Sequence, residues 1–377
     1  MEKILPSLHL SSSAGVHLPR NQCQGKLSIL SCLHYFEVLL TVFSSISGLF
    51  TGSCWQSLQN LSNPHLVVLA RDLPGIILCD RAPSTVLKYW NSFQRWCTWA
   101  RSFGLSALPA SGIHLALYLC DLMKKCSSPG PILSSLYGVS WAHRKALVAD
   151  PGNHPLVRQV CESAKRLLGH SVTKKKHLTT CNVRAIVDRF AQPGADLSDL
   201  QTTLLIVVGF AGFLRWNDLS NIRVESITFF ELHMSIFLDK RKNDQFHNGS
   251  VVNVTRSGLD SCPVCLTERF LARTGMSSGP LFREIEGRGS AGRVSSRSLR
   301  YATARSQALK AYAAVGLDPK EYGLHSLRSG GASAASLAGI PDRLISSHGG
   351  WKSESSRNRY IRDDRETLLS VSKALEI

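Results

Sequence analysis

The chain has 377 residues and a formal net charge of +17 at pH 7, because 44 lysines and arginines face 27 acidic residues. An apolar content of 44% fits a globular protein long enough for two domains, and the positive charge indicates a partner rich in phosphate groups. The 11 cysteines are odd in number and irregularly spaced, which argues against a secreted disulfide framework and favours a reducing compartment.

Residues 1–74 are treated as an uncertain N-terminal extension. The apolar run 27–50 is nearly long enough to span a bilayer, but His34, Glu37 and many serines interrupt it. The run also starts too late and is too long for a secretory signal peptide. We therefore expect a poorly packed extension without a membrane span, and leave open whether it belongs to the working protein.

Residues 75–170 predict a small all-helical domain. From Ser84 onward, Val86, Trp90 and Phe93 recur every three to four residues, as on the buried face of a helix. Three further helices are expected near 111–126, 131–149 and 154–170, separated by SSPG and DPGNH turns. Basic side chains between the apolar positions are expected to contact a DNA backbone, with a solvated helix surface as the alternative. They include Lys88, Arg95, Arg144 and Lys145.

A polar, basic stretch at 171–179, SVTKKKHLT, predicts a linker whose Lys174, Lys175 and Lys176 also contact DNA. Residues 180–377 predict a second, larger domain with helices at 180–190 and 197–216. The stretches 227–240 and 250–256 predict strands joined by a polar loop, and the chain from Cys262 onward predicts helices again. The whole chain is therefore predicted to be mainly α with one small antiparallel sheet.

Four polar residues of this second domain stand out, although each has an ordinary interpretation. Arg215 closes an otherwise apolar helix, where a charge calls for an anionic partner, unless it only suits the helix C-terminus. Asp218 follows three positions later and is placed to hold a neighbouring group. His325 and Arg328 are also three apart and share one helix face, which by itself fits a plain surface.

Two aromatic residues complete the set. Trp351 follows a double glycine, and Tyr360 lies nine residues further on, where a packing role is the simpler interpretation. In chain order, however, the combined set resembles the catalytic residues of the tyrosine recombinases, also called the phage integrase family. The residues that carry the resemblance are Arg215, His325, Arg328, Trp351 and Tyr360.

The resemblance extends over about residues 75–370. The segment 323–361 looks like the C-terminal box of that family, and its GGW is closer to the Cre type, so that Trp351 rather than His348 takes the second His/Trp position. The family places a catalytic lysine in the hairpin between the second and third strands. Its frequent SKTDQ form points to Lys242 in RKNDQ, with Lys240 as the alternative. The helical domain resembles the SAM-like core-binding domain of the family, and Asp218 would take the place of an acidic residue that is often Glu.

The resemblance implies transesterification of a DNA phosphodiester. Arg215 and Arg328 would bind the nonbridging oxygens with paired hydrogen bonds. Tyr360 would be the nucleophile that forms a 3′-phosphotyrosyl link, with nearby positive charge favouring its phenolate.

The remaining members of the set would assist this step. His325 would accept a proton or donate to the phosphate, and Lys242 would protonate the departing 5′ oxygen. Trp351 would donate one hydrogen bond or support the segment that carries the tyrosine. Such chemistry requires no metal, and no nucleotide-binding signature is present, so no cofactor is expected. A single CxxC at Cys262 and Cys265 lacks a second pair at zinc-finger spacing and is interpreted as a loop before a helix.

The implied partner is double-stranded DNA, bound by a homo-tetramer on two duplexes, without a small-molecule substrate. The terminal helix, with Leu368, Leu369 and Val371 on one side, is expected either to dock on a neighbouring subunit or to fold back on its own domain. The RKNDQ hairpin and the Trp351 form resemble those of recombinases from eukaryotic mobile elements, and this resemblance implies the nucleus, with the cytoplasm as the other location. Two alternatives stay open: a domesticated, inactive DNA-binding protein with the same fold, and a type IB topoisomerase.

Overall fold

The computed structural model describes residues 46–171, 174–239, 241, 249–287, 289–363 and 365–375. The chain divides into two compact units, one ending at Val172 and one beginning at Thr173. Among the described residues, none of the helices has the length and apolar character needed to cross a bilayer. Most of the apolar run 27–50 lies outside the described residues.

The first unit is entirely helical in its described part. Short helical turns precede its main helices and also join two of them; they are Ser47–Phe50, Ser53–Gln56, Ser57–Asn60 and Pro151–Asn153. The main helices are α1 (Pro64–Leu78), α2 (Pro83–Ser102), α3 (Gly112–Lys125), α4 (Gly130–Lys145) and α5 (Pro155–Leu167). Proline occupies the first turn of α1, α2, α4 and α5, where its missing N–H costs nothing. The four predicted helices are present, although α4 ends four residues before the predicted 149.

The core of the first unit includes residues that the sequence assigned to the extension. Trp96 and Leu119 are fully buried at its centre, and Ile46, Leu49 and Leu78 pack in the same cluster. The expected poor packing is therefore wrong for residues 46–50, and α1 crosses the predicted boundary at residue 75. The apolar residues of this region complete a helical core instead of forming a separate segment.

The second unit combines helices with two small antiparallel sheets. Its helices are α6 (Thr180–Phe190), α7 (Leu197–Ala211), α8 (Trp216–Ser220), α9 (Pro263–Thr274), α10 (Tyr301–Ala314), α11 (His325–Leu337), α12 (Asp342–Gly349), α13 (Glu354–Asn358) and α14 (Arg365–Lys373). Its strands are β1 (Ile227–Phe229), β2 (His233–Leu238), β3 (Ser250–Thr255), β4 (Arg283–Glu286) and β5 (Arg293–Ser298). Single 3-10 turns lie at Val224–Ser226 and Gly289–Ala291.

The first sheet has the order β1-β2-β3, and β2 pairs with β3 from His233 opposite Thr255 to Leu238 opposite Ser250. The predicted strand 227–240 is thus two strands, because the chain reverses between Phe229 and His233. The β4-β5 hairpin contradicts the prediction of helices alone after Cys262. Its serine- and arginine-rich sequence lacks the apolar alternation that announces a half-buried strand.

Helix α7 forms the centre of the second core, which explains its unbroken apolar run. Every residue from Leu204 to Gly209 is buried, and the helix packs against α6, α9, α10 and α11. Met234 and Val252 extend the core from the sheet. Burial on all sides positions the C-terminal end of α7 rigidly beside the start of α11.

The predicted linker is packed in its second half. The Leu178 side chain is fully buried, and its N–H donates to the Ser326 carbonyl at 3.1 Å. The Lys176 N–H likewise donates to the Glu321 carbonyl at 2.8 Å. A free linker is therefore wrong for residues 176–179, because one apolar side chain and these backbone bonds fix the segment to the second unit.

Candidate active site

Arg215 lies at the start of α8 and does not close α7. Helix α7 ends at Ala211, and Phe213 adopts a left-handed conformation with φ of 50°, which is uncommon for a residue with a side chain. The Asp218 side chain then caps α8, since its Oδ2 accepts from the Arg215 N–H at 3.0 Å. The role of a helix C-terminal arginine is therefore wrong for Arg215.

Arg215 and Asp218 form a loose buried pair. Asp218 is fully buried, and its Oδ2 lies 3.9 Å from Nη1 of Arg215, beyond hydrogen-bond distance. Neither Nη1 of Arg215 nor Oδ1 of Asp218 has a hydrogen-bond partner among the described residues. The carboxylate thus offsets the charge of the arginine without occupying all of its donors.

A double glycine brings α11 against α7. A Cβ at Gly331 would lie 2.1 Å from the Phe210 carbonyl oxygen, and one at Gly330 would lie 2.3 Å from the Leu178 carbonyl oxygen. Only glycine permits two backbones to approach so closely. The SGG after Arg328 therefore has a packing role, which sets that arginine beside the turn that precedes Arg215.

Arg328 is a fully enclosed cation at the centre of the site. It is fully buried; its Nη1 donates to the Phe213 carbonyl and its Nη2 to the Gly349 carbonyl at 2.8 Å. Its Cζ lies 3.9 Å from the ring centroid of Trp351 and 4.9 Å from that of Tyr360. Burial and the nearby Arg215 lower the pKa of Arg328. A guanidinium stays charged in proteins, so it is attracted to both ring faces.

Trp351 packs in a small cluster with Phe213, Ala332 and Ile345. Its ring centroid lies 5.4 Å from that of Tyr360. The indole Nε1–H is buried and has no acceptor within the part of the chain that the structure describes. The tryptophan thus supports the tyrosine by contact and keeps one donor unused.

Tyr360 lies in a turn after the short helix α13. Its N–H donates to the Arg357 carbonyl at 2.8 Å. Arg357 is itself buried and donates to Asp342 Oδ2 at 2.7 Å, which ties α13 to α12. Tyr360 is only partly buried, so its phenol ring meets Arg328 on one side and stays accessible.

The two histidines near the site differ in their surroundings. His348 donates from Nε2 to the Ala211 carbonyl at 2.8 Å and packs edge-on against Phe213. Burial lowers the pKa of His348, and the charges of Arg241 and Arg328 lower it further. His325 is exposed at the first position of α11. His348 therefore has a structural contact, and Trp351 rather than His348 lies against Arg328.

One site residue was missed by the sequence interpretation. Arg241 is buried, and its Nη1 donates to the His348 carbonyl at 3.2 Å. Lys240 and Lys242, the two positions considered for the catalytic lysine, lie outside the described residues. The signal available in the sequence was the position of Arg241 between these lysines in DKRK.

The residues predicted to contact DNA fall into two classes. Lys88, Arg95 and Arg144 of the first unit are exposed, and Arg144 also pairs with Asp150 at 2.9 Å. Lys145 is buried and its Nζ donates to the Ile77 carbonyl, so the expectation that it contacts DNA is wrong.

The three lysines of the second unit, Lys174, Lys175 and Lys176, are exposed. Nζ of Lys175 donates to the Lys320 carbonyl, and Lys176 pairs with Glu321 at 2.6 Å. Their contact with DNA stays a prediction.

The cysteine pair lies at the start of α9. Cys262 is buried directly before the helix, whereas Cys265 is exposed. Within the described residues, His, Cys, Asp and Glu side chains form no group of three that could bind a metal. The predicted loop position therefore holds for Cys262 but is wrong for Cys265, which lies in the first turn of the helix.

Comparison with known proteins adds sequence and fold similarity. No protein-family model matches the chain. A protein described as an integrase/recombinase XerD homologue from Selenomonas ruminantium is 28% identical over 292 residues, which cover 75% of this chain and 82% of that protein.

Two solved structures share the fold. The XerH site-specific recombinase bound to a palindromic difH substrate has a TM-score of 0.51 at 16% identity, and the match covers 72% of this chain and 74% of that chain. The lambda integrase tetramer bound to a Holliday junction has a TM-score of 0.50 at 16% identity, over 78% and 76% of the two chains. The chain is therefore similar in sequence to an integrase/recombinase and shares the fold of two structurally characterised DNA recombinases.

Proposed function

We propose that the protein is a site-specific recombinase that breaks and rejoins DNA strands through a 3′-phosphotyrosyl intermediate. The observation that carries this proposal is the contact between the buried Arg328 guanidinium and the ring of Tyr360, at 4.9 Å. A nucleophile next to a fixed cation meets the first requirement of attack on a negatively charged phosphodiester.

The donors around this contact support the proposal. Nη1 of Arg215, Nε of Arg328 and Nε1 of Trp351 are buried without an acceptor among the described residues. Each unpaired donor carries a desolvation penalty of about 1–3 kcal/mol. A phosphodiester, with its charge and its nonbridging oxygens, supplies the acceptors that these groups lack.

In the proposed step, the Tyr360 hydroxyl oxygen attacks phosphorus and the bond between phosphorus and the 5′ oxygen breaks. Arg215 and Arg328 neutralise the charge that gathers on the nonbridging oxygens. His325, exposed at the start of α11, receives the phenol proton. Lys242 gives a proton to the departing 5′ oxygen. The new phosphotyrosyl ester keeps the energy of the broken bond, so a 5′ hydroxyl rejoins the strand by the reverse reaction.

The substrate is double-stranded DNA, bound by a homo-tetramer on two duplexes. The XerH structure contains its difH substrate and the lambda integrase structure is a tetramer on a Holliday junction, and the excess of positive charge in this chain suits the same class of partner. Cytoplasm and nucleus both fit a recombinase that acts on DNA; nuclear location and origin in a eukaryotic mobile element stay predictions.

Covalent trapping tests the proposal without knowledge of the target site. The purified protein and its Tyr360→Phe variant are incubated with sheared genomic DNA and denatured with detergent, and the DNA that stays attached to protein is sequenced. We expect fragments that share a motif with the unmutated protein and none with the variant, because phenylalanine lacks the attacking oxygen. Lys242→Ala should also lose attachment while retaining DNA binding.

The opposite result favours the alternative function. Two outcomes would identify the protein as a DNA-binding relic of a recombinase. Either both proteins bind DNA and neither retains it after denaturation, or both retain it to the same extent. A filter-binding measurement on the same samples separates this outcome from simple loss of folding.

A further inference from the structure

Arg241 is buried beside the candidate active site without the partners that a buried charge requires. Only 5% of its surface is exposed. Its Nη1 donates to the His348 carbonyl at 3.2 Å, but Nε and Nη2 have no acceptor in the described part of the chain. Buried polar groups are almost always paired in native proteins, so two orphan donors on one guanidinium call for an explanation.

The position of Arg241 is set by the turn that leads to Trp351. Gly350 has φ of 65°, and a Cβ built there would lie 2.5 Å from Nη1 of Arg241. Arg328 donates to the Gly349 carbonyl of the same turn at 2.8 Å. Arg241 and Arg328 therefore bind consecutive carbonyls of one turn, and each retains an unpaired Nε–H next to the site.

The charges of this region do not balance within the described residues. Arg215 and Asp218 both act electrostatically on Arg241 and on Arg328, and Asp218 is the only carboxylate among the described residues that opposes the charges of these arginines. Burial lowers the pKa of Arg241, and Arg215 lowers it further against the opposing effect of Asp218. An uncompensated buried charge is costly, and an incoming anion removes that cost.

We propose that Arg241 is a third phosphate-binding arginine, whose Nε–H and Nη2–H donate to the nonbridging oxygens of the phosphodiester held by Arg215 and Arg328. These two donors lie on one edge of the guanidinium plane, which matches a pair of phosphate oxygens. The inference rests on the proposed function for the identity of the phosphodiester. Binding of an anion by these donors is nevertheless independent of strand cleavage and is tested separately.

Inorganic phosphate serves as the probe. The thermal midpoint of the full chain is measured against phosphate concentration, with chloride at equal ionic strength as the reference, for the unmutated protein, Arg241→Met and Arg223→Met. We expect Arg241→Met to bind phosphate about tenfold or more weakly, because a charged donor pair is lost. Arg223 is exposed and paired with Glu225, so its variant should bind as the unmutated protein does.

Stability without phosphate separates binding from a purely structural role. Removing an unpaired buried cation should leave the thermal midpoint of Arg241→Met unchanged or raise it. Arg357→Met is the matched contrast, since Arg357 is equally buried but bound to Asp342, and its midpoint should fall. If Arg241→Met instead lowers the midpoint and binds phosphate normally, Arg241 only anchors the turn before Trp351, and the proposal is overturned.

The two proposals fail in different ways. In one case, Arg241→Met loses phosphate affinity and the unmutated protein forms no covalent DNA attachment. This result supports the third phosphate-binding arginine and rejects the recombinase function. In the other case, covalent attachment depends on Tyr360, and Arg241→Met keeps both its phosphate affinity and its attachment. This result supports the recombinase function and rejects the third phosphate-binding arginine. Arg241→Lys adds a check of geometry, because lysine keeps the charge but lacks the paired donors.

Discussion

Buried polar side chains in the two units fall into two kinds. His143 of the first unit has both ring nitrogens paired: Nε2 accepts from the Ala110 N–H at 2.8 Å, and Nδ1 donates to the Val139 carbonyl at 2.8 Å. Arg328 and Arg241 of the second unit have donors without acceptors among the described residues. A fully paired side chain contributes to the fold, whereas unpaired donors in a site are available to a ligand.

The burial of His143 predicts loss of stability in acid. Burial lowers its pKa in the folded protein, whereas the unfolded chain binds a proton near its ordinary pKa of about 6.5. Below that pH the unfolded chain holds more protons than the folded protein, so the free energy of unfolding falls as pH falls. Urea unfolding of the first unit, followed by its tryptophan fluorescence from about pH 8 to about pH 5, measures this slope.

His143→Gln provides the comparison for this slope. The glutamine retains an acceptor but does not titrate, so stability should drop by about 1–3 kcal/mol near pH 8 from lost hydrogen bonds, and the slope should flatten. A variant slope as steep as that of the unmutated protein would assign the acid sensitivity to other groups. His177 and His348 are candidates in the second unit, because burial lowers their pKa as well.

At the scale of elements, one lysine joins helix α1 to α4. Nζ of Lys145 donates to the Ile77 carbonyl at the end of α1 and lies 3.0 Å from Oδ1 of Asp80. The Lys145 carbonyl accepts from the Trp55 indole at 3.0 Å. The lysine thus connects the residues before α2 to the helical core, which is why it is buried.

We expect Lys145→Met to lower the free energy of unfolding by about 1–3 kcal/mol, because a carbonyl and a carboxylate lose their donor. Lys88→Met, on the exposed face of α2, should change the free energy of unfolding by about 0.5 kcal/mol or less.

The same two variants should differ in DNA binding. Lys88→Met should reduce the salt dependence of the DNA affinity by the amount expected for about one phosphate contact, while Lys145→Met should leave it unchanged. Denaturant unfolding and binding titrations at several salt concentrations measure both effects. A Lys145 variant that keeps its stability but loses salt dependence would restore the DNA-contact assignment.

At the scale of the whole molecule, the terminal helix α14 presents apolar side chains to solvent. None of its described residues is buried, and Leu368, Leu369 and Val371 are exposed. Folding back onto its own unit, one of the two roles considered from the sequence, is therefore wrong for this structure. An exposed apolar helix face favours a protein partner, and for the proposed tetramer the fitting partner is a neighbouring subunit.

A double substitution, Leu368→Glu with Leu369→Glu, should prevent assembly while leaving each subunit folded. On a trapped DNA fragment we expect subunits that bind singly, without the tetramer, because charges on this face cannot be buried in an interface. Sedimentation of the protein–DNA complex measures the assembly. Leu259→Glu, at another exposed apolar position, serves as the control. Tetramers formed equally by both variants would exclude α14 as the contact.

Local sequence patterns were sufficient to predict most of the helices and the set of candidate site residues. The four helices after Ser84, the buried run of α7 and the set from Arg215 to Tyr360 were predicted because periodicity and short motifs record local geometry directly. The resemblance to the tyrosine recombinases was carried by the same residues, and the similarity to an integrase/recombinase agrees with it.

Other features depend on which elements contact one another in the folded protein, and only the tertiary structure shows them. Lys145 and Arg241 look in sequence like exposed basic residues, yet both are buried, because their surroundings come from residues as distant as Ile77 and His348. The packed end of the predicted linker follows from one fully buried side chain, Leu178. Burial of a charge is a property of the assembled fold and leaves no local trace, so the orphan donors that define this site emerge only when the segments come together.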